Sequence, residues 1–430
     1  MVPIVPKMMP MRKAFAWALA LHLCVFGMNG SIPSAKGQAA EPFRKVLTDA
    51  EHLQNDGATE IQRLFVTPTC PHPWTVRKVL MAGGKQDGVE LVIVDNGAMQ
   101  IVLCPTRGMG IIEVRKSGQR FGWLSPVSEI VHPKYINLQD RGGLGWLSGF
   151  NEFMCRCGLE NNGGAGPDTI TTNTGEKAEV PLTLHGKIAN TPASKVEVEI
   201  ERQAPWRIRV RGVVHERTFL GPKLELRTEL ETEAGSARFI IRDTVINHSA
   251  SPQEFEILYH ANIGRPVLGA GAKVLLPAAK VTPINARAAE GIATWTDFLA
   301  PTTGFVEQVY CIEPRPDALG KCHSVIHNAA GDLGATIDWM VAELPYVTLW
   351  KNTAAEADGY VTGIEPGTNF PRPRKKEREK GRVPVLAPGA TRSFNVEFGF
   401  LASKAEVDNM RNYLAPLLTL VPNVVAEPEQ

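Results

Sequence analysis

Residues 195–213 read KVEVEIERQAPWRIRVRGV, and this stretch gives the clearest indication of the fold class. Its two halves, 195–201 and 206–213, alternate strictly between apolar and charged side chains. Successive side chains of a β-strand point to opposite faces, so the pattern predicts antiparallel strands with one buried and one solvated face. Residues 224–230 and 239–246 continue the pattern beyond turn-forming residues.

Further strands are predicted outward from this stretch, at residues 89–94, 344–350 and 393–401, and a helix is predicted at 407–418. No helical segments alternate with the strands, so the chain is predicted to be all-β, a large antiparallel sandwich. The glycine pairs at 142–143 and 163–164 do not lie between a strand and a helix, so they do not support dinucleotide binding.

The composition gives no sign of a nucleic-acid or membrane-surface partner. The 430 residues include 46 Lys and Arg against 45 Asp and Glu, and 43% are hydrophobic. This balance fits a neutral polyol, among other partners. The basic run at 372–380, RPRKKEREK, also contains glutamates and is proline-rich, so a solvated loop is favoured over a nucleic-acid contact.

The first 40 residues are typical of a secretory signal. Basic residues at Lys7, Arg12 and Lys13 precede an apolar run at 14–28, and small residues follow up to Ala40. The apolar run is shorter than the roughly 20 residues of a membrane span, although an uncleaved anchor is the alternative. We therefore expect an exported protein, periplasmic or secreted, with no membrane span after cleavage.

The predicted organisation is a signal at 1–40, an N-terminal lead-in at 41–64, one β-sandwich domain at 65–402, and a C-terminal helix and tail at 403–430. Removing the signal leaves six of the seven cysteines. A bridge between Cys311 and Cys322 across a hairpin is one possibility, and the pairing stays open, as does the oligomeric state.

Three segments differ from the surrounding strand sequence: PLTLHG at 181–186, ILYHANIGRP at 257–266 and YVTGIEPGTNFP at 360–371. Each places an ionisable residue beside a strand end or a turn, where a rigid sheet can present it to a ligand. Each alone is weak, because a single histidine or loop glutamate is more often structural.

Together with CPTRGMGI at 104–111, GWLSP at 122–126, CGLENNGG at 157–164 and LHGKIANTPA at 184–193, these segments resemble a known family. The chain resembles the galactose-mutarotase-like superfamily of aldose 1-epimerases, in particular its DUF4432 branch, over residues 65–402. The resemblance implies a β-supersandwich of antiparallel strands with few short helices and a sugar cleft on one face.

The resemblance also implies roles for individual residues. His185 would bind the sugar near its ring oxygen, His260 would act as general acid and Glu365 as general base. Arg107 is the candidate for contacting sugar hydroxyls, although its motif matches most loosely. No counterpart is found for the aspartate that grips a sugar hydroxyl in the galactose enzymes, so the sugar's identity stays open.

Five further residues are candidate sugar contacts. Trp350 is expected to stack on a sugar face, with a place in the core as the alternative. Asn262 and Arg265 follow His260 closely, and Glu160 and Asn161 lie in a glycine-rich loop with polar groups to offer.

A carboxylate and an imidazole suit anomer exchange, which opens and recloses the sugar ring by proton transfer and needs no metal, nucleotide or other cofactor. A non-catalytic sugar-binding protein on the same fold is the main alternative. Two histidines and a glutamate also resemble a zinc or iron site, but their spacing is loose. A polysaccharide lyase or a hydrolase is a further alternative, but a hydrolase would need a second carboxylate that the sequence does not identify.

Overall fold

Alternation of buried and outward side chains is clearest in the long strands of this protein, for which a computed structural model describes residues 41–429. In the strand at Arg207–Arg217, Ile208 and Val210 are buried while Arg209 and Arg211 point outward to glutamates on neighbouring strands. The predicted signal segment lies outside the described residues. No helix within the described range is long and apolar enough to span a bilayer.

The strands of the described range are, in chain order, β1 Phe43–Asp49, β2 Gln54–Asn55, β3 Thr59–Gln62, β4 Thr75–Leu80, β5 Glu90–Asp95, β6 Met99–Cys104, β7 Gly110–Lys116, β8 Gln119–Phe121, β9 Met154–Leu159, β10 Gly166–Thr171, β11 Lys177–Leu182, β12 Lys195–Ile200, β13 Arg207–Arg217, β14 Lys223–Glu233, β15 Arg238–Asn247, β16 Gln253–Glu254, β17 Glu256–Ile263, β18 Lys273–Leu275, β19 Ala278–Pro283, β20 Gln308–Pro314, β21 Lys321–His327, β22 Gly334–Met340, β23 Tyr346–Asn352, β24 Val361–Gly367, β25 Val385–Leu386, β26 Thr391–Leu401 and β27 Asn423–Val424. The α-helices there are α1 Arg63–Val66, α2 Asp140–Gly143, α3 Ala286–Glu290, α4 Arg374–Glu379 and α5 Lys404–Leu418. Short 3-10 turns occupy Gly84–Gln86, Pro105–Arg107, Pro133–Tyr135, Gly145–Ser148, Ile188–Asn190, Ile292–Thr294 and Glu356–Asp358.

Two large sheets carry the fold. The first has ten strands in the order β18-β21-β22-β26-β15-β14-β13-β12-β1-β2, and the second runs β27-β19-β20-β23-β24-β17-β9-β7-β6-β5-β4-β3, with β8 on β7. All neighbouring strands of the two large sheets pair antiparallel except β19 and β27. The predicted lead-in at 41–64 contributes β1, β2 and β3 to these sheets, and the predicted C-terminal helix is α5.

The two sheets enclose one main apolar core. Leu226 and Ile241 of the ten-stranded sheet belong to the same buried cluster as Val94 and Ile111 of the other. A buried ion pair also joins the sheets, because Arg156 on β9 donates to Asp243 on β15 at 2.9 Å. The all-β sandwich predicted from the alternation is confirmed.

The structure decides against one alternative that the sequence left open, the Cys311–Cys322 bridge, and shows one expectation to be wrong. Cys311 and Cys322 lie on β20 and β21, in different sheets, and both are free thiols. The basic run at 372–380 is not a solvated loop but contains α4, in which Arg374 is buried and donates to Glu254 at 2.7 Å. Arg374 and Arg378 both pair with Asp168 and Glu254, which lie elsewhere in the chain.

Candidate active site

The register of two central strands brings His260 and Glu365 face to face. Strands β17 and β24 pair antiparallel with Leu258 opposite Gly367 and Ala261 opposite Ile364, and the same register sets His260 opposite Glu365. His260 Nε2 lies 3.2 Å from Glu365 Oε1, and both side chains are almost completely buried.

The tautomer of His260 follows from its other contact. Asn262 uses its Nδ2 to donate to the Glu152 carbonyl at 3.0 Å, so its Oδ1 is the acceptor that lies 2.7 Å from His260 Nδ1. Nδ1 therefore carries a proton, and Nε2 is the nitrogen directed at Glu365. Asn262 thus orients the imidazole from within the sheet.

Burial and neighbouring charges push the two groups toward their neutral forms. Burial, and then the negative charge of Glu307, raise the pKa of Glu365 well above its ordinary value. Burial, and then His185, lower the pKa of His260 well below its ordinary value, although the hydrogen bond to Asn262 opposes this. Both shifts favour the uncharged forms, a carboxylic acid at Glu365 and a neutral imidazole at His260.

His185 is the third member of the cluster, and its ring centre lies 5.2 Å from that of His260. It follows β11 with φ at 57°, a left-handed conformation that few residues other than glycine adopt. Its Nδ1 lies 2.7 Å from the Asn162 carbonyl oxygen and donates to it, which leaves Nε2 as an acceptor. Burial lowers the pKa of His185 to about 4, so the ring is neutral near pH 7.

A buried carboxylate holds the backbone of Asn162, the residue whose carbonyl supports His185. The N–H of Asn162 donates to Glu256 Oε2 at 2.9 Å, and Asn369 Nδ2 donates to Glu256 Oε1 at 2.7 Å. Burial raises the pKa of Glu256 to about 7. Asn162 and Asn369 lie within the family-like segments, but their supporting role and that of Glu256 were not predicted from the sequence.

The cluster opens into a cleft of about 900 Å³, near the upper end of the range for pockets that enclose small molecules. Three polar atoms of the cleft are buried and make no hydrogen bond within the described residues: Trp146 Nε1, Thr348 Oγ1 and Glu365 Oε1. Glu365 Oε1 lies close to His260 Nε2, but the two groups are not aligned as a hydrogen bond. Aromatic side chains form much of the wall: Trp123, Trp146, Phe150 and Trp350.

Among the six predicted sugar contacts, Trp350 is the one that lines this cleft. Arg107 is completely buried elsewhere, paired with Glu152 at 2.7 Å and donating to the Val131 carbonyl at 3.0 Å. A sugar cannot reach its guanidinium in this arrangement, so the expectation that Arg107 contacts sugar hydroxyls does not fit the structure.

The other four predicted contacts have structural partners instead. Asn262 serves His260, and Asn161 donates from Nδ2 to carbonyls of its own loop and of Thr183. Glu160 pairs with Lys187, and Arg265 is exposed, paired with Glu356. None of these four is among the cleft-lining residues.

The cleft also contains charged residues that sequence reasoning missed: Arg141, Glu307 and Asp358. Glu307 accepts a hydrogen bond from Trp350 Nε1 at 2.7 Å. None of the three lies in a family-like segment, although Asp358 comes just before the segment at 360–371. No local sequence pattern distinguishes them. Within residues 41–429, no group of three or more His, Cys, Asp or Glu side chains is arranged to hold a metal ion.

The fold is that of the galactose-mutarotase-like proteins. Within this class the chain belongs to the DUF4432 family, described as a domain of unknown function, whose model matches residues 86–400. No curated protein matches the chain significantly in sequence.

Three solved structures illustrate the similarity. A protein from Klebsiella pneumoniae, provisionally assigned as an aldose 1-epimerase, is 38% identical over 90% of this chain and 99% of its own, with a TM-score of 0.84. A galactose mutarotase-like protein from Clostridium acetobutylicum is 14% identical over 76% and 98%, with a TM-score of 0.52. Galactose 1-epimerase from Lactobacillus acidophilus is 13% identical over 76% and 99%, with a TM-score of 0.50. The last two show the fold alone.

Proposed function

We propose that this protein interconverts the anomers of a reducing sugar by acid–base ring opening. The observation that carries the proposal is the buried pair of His260 and Glu365, whose Nε2 and Oε1 atoms lie 3.2 Å apart in an aromatic cleft beside His185. The similarity to the Klebsiella protein, provisionally assigned as an aldose 1-epimerase, supports it.

The reaction needs one proton donor and one proton acceptor. A base takes the proton of the C1 hydroxyl while an acid protonates the ring oxygen, so the bond between C1 and the ring oxygen breaks and the C1 carbonyl forms. Rotation about the C1–C2 bond and the reverse transfers give the other anomer. In the proposed scheme His260 is the acid and Glu365 the base for opening, and the two exchange roles for closure.

A pair of groups that carries one transferable proton suits this cycle, because one member is then a donor and the other an acceptor. Because the raised pKa of Glu365 and the lowered pKa of His260 favour a proton on Glu365, forming the reactive complex includes its transfer to His260 or an exchange of the two roles. Neutral His185 offers Nε2 as an acceptor for a sugar hydroxyl, in line with its proposed part in orienting the substrate.

The cleft suits a polyol. Trp146 Nε1 can donate to a hydroxyl, Glu365 Oε1 can accept from one, and Thr348 Oγ1 can do either. The aromatic faces of Trp123 and Trp350 can cover the C–H face of a pyranose. We therefore propose a free reducing sugar as the substrate class.

The test is the rate of anomer exchange for a panel of free aldoses, measured by polarimetry and by exchange NMR. The wild type is expected to accelerate exchange for at least one sugar, and Glu365→Gln is expected to lose roughly 10²- to 10⁴-fold, the usual contribution of one positioned acid–base group. Glu313→Gln, an exposed glutamate on β20, is the matched control. Sugar binding without exchange in the wild type would instead identify a binding protein.

A further inference from the structure

A second carboxylate, the exposed side chain of Glu307, lines the cleft beside its aromatic wall. Glu307 directly precedes β20, and the register that sets Gln308 opposite Lys351 and Val309 opposite Trp350 carries it to the side of β23. Its Oε2 accepts the indole N–H of Trp350 at 2.7 Å. Both residues line the cleft, so this hydrogen bond fixes part of the wall itself.

The indole held by Glu307 touches the proposed catalytic pair. Its ring lies edge-on to His260, with 5.5 Å between the ring centres. On the adjacent strand, a Cβ built on Gly363 would lie 2.3 Å from Glu365 Oε1 and 3.3 Å from Trp350 Cε3. The Glu365 carboxyl group and the Trp350 indole therefore lie side by side over Gly363, so a displacement of the indole is expected to displace the carboxyl group.

We infer that Glu307 is a positioning residue for the His260–Glu365 pair: it anchors the Trp350 wall and places a negative charge in the lining of the cleft that the pair also lines. This inference rests on the proposed function and adds a residue to it. Glu307 acts through Trp350 and through its charge, without a direct contact to the reacting atoms.

Glu307 is the carboxylate whose negative charge raises the pKa of Glu365, in addition to burial. Near neutral pH the histidines are uncharged, because burial holds the pKa of His185 near 4 and that of His260 well below its usual range. Burial likewise raises the pKa of both nearby thiols. The titratable and charged groups that face Glu365 are His260 on β17, His185 after β11, Cys155 and Cys157 on β9, Glu307 before β20, and Arg141 and Asp358 elsewhere in the cleft lining.

Two variants separate the charge from the anchor. Glu307→Gln keeps an oxygen that can accept the Trp350 N–H but removes the negative charge. Trp350→Phe removes the hydrogen bond and leaves the charge. Glu313→Gln makes the same substitution near the opposite end of β20, where the side chain is half-exposed and pairs with Lys280, and it serves as the control.

Removing a negative charge lowers the pKa of nearby acids and bases alike. The bell-shaped pH profile of anomer exchange is therefore expected to move to lower pH by about one unit in Glu307→Gln, with little change in KM. Trp350→Phe is expected to raise KM several-fold and to leave the position of the bell within about 0.3 units. A Glu307→Gln profile that coincides with those of the wild type and Glu313→Gln would overturn the inference.

A second readout does not depend on turnover. The imidazole of His260, followed by NMR in selectively labelled protein, reports the titration of the pair. Glu307→Gln should displace that titration to lower pH even if no sugar in the panel is a substrate. An unmoved titration would refute the role of Glu307, whereas a moved titration without anomer exchange would refute only the proposed reaction.

Discussion

Adding one methyl group at Gly363 is expected to disable the site while leaving the fold intact. Gly363 lies in the middle of β24, two residues before Glu365, with backbone torsions that an L-residue adopts freely. A Cβ there would lie 2.3 Å from Glu365 Oε1, and ordinary contacts begin near 3.4 Å. The carboxyl group must therefore move by about 1 Å in Gly363→Ala.

That displacement of the carboxyl group is expected to slow anomer exchange. A misplacement of about 1 Å in a catalytic group typically lowers the rate by about 100-fold, which corresponds to about 2.7 kcal/mol of transition-state stabilisation. Stability is expected to change by no more than about 1 kcal/mol, because the reduced chain entropy of the unfolded state offsets part of the crowding.

The assay is the anomer-exchange rate by NMR, with urea unfolding measured on the same samples. Gly166→Ala is the matched control, since Gly166 is also in a strand and a Cβ there has no atom within 4 Å. A Gly363→Ala enzyme that keeps kcat within about threefold of the wild type would refute the proposal that the observed position of the Glu365 carboxyl group is the one that catalyses the reaction.

Two further predictions concern buried groups. In Glu256→Gln, one of the two hydrogen bonds that Glu256 accepts is replaced by a contact between two donors, so the backbone of Asn162 should no longer hold His185 in place. Sugar affinity, measured by calorimetry, is expected to fall about tenfold. The free energy of unfolding is expected to fall by about 1–3 kcal/mol. Burial alone would lower the pKa of His323, but its hydrogen bonds to Asp338 and Asp317 outweigh burial and raise it. The stability that His323 contributes is therefore complete below about pH 6.5 and is lost as the pH rises through the raised pKa. Urea unfolding between pH 6 and 9 should show the wild type losing stability relative to His323→Gln. Parallel curves for the two proteins would contradict this prediction.

The strands were predictable where one face is buried and the other solvated. Strands β12 to β15 follow the predicted segments within a few residues, because their outward positions carry arginine and glutamate. Strand β17 is buried along its whole length, so its sequence EILYHANI shows no such alternation. Its role was inferred from the resemblance around His260 and not from periodicity.

The site was only partly predictable for a related reason. His185, His260 and Glu365 were named, and the structure brings them together, but their roles remain predictions. Arg107 and Asn161 lie in equally family-like segments and are occupied in holding the backbone. Local sequence does not reveal toward which side of a turn a polar side chain points.

Long-range partners were the other gap. Arg378 of α4 donates to Asp168 at 2.6 Å across more than two hundred residues of sequence, which converts a run that looked solvated into a structural tie to the β10–β11 hairpin. Glu307 meets Trp350 in the same way, through pairing of β20 with β23. Neither contact has a signature within a window of neighbouring residues.

The energetics of Glu365 bear on whether the cleft catalyses or only binds. A carboxyl group buried without an aligned hydrogen bond to the protein is a cost to the folded state, of about 1–3 kcal/mol for a neutral group and more once it ionises. A protein that only binds sugar would not need this carboxyl group, because the aromatic walls and the other polar atoms of the cleft would bind a sugar equally well with glutamine at position 365. Since the pKa of Glu365 is raised, the proton it retains is held more tightly in the folded than in the unfolded state, and stability falls as pH rises from its ordinary value toward the raised one. Glu365→Gln should therefore be at least as stable as the wild type above neutral pH. Unchanged or higher stability together with lost anomer exchange is the trade-off of a residue retained for chemistry, whereas lower stability with unaltered sugar binding would favour a structural role in a binding protein.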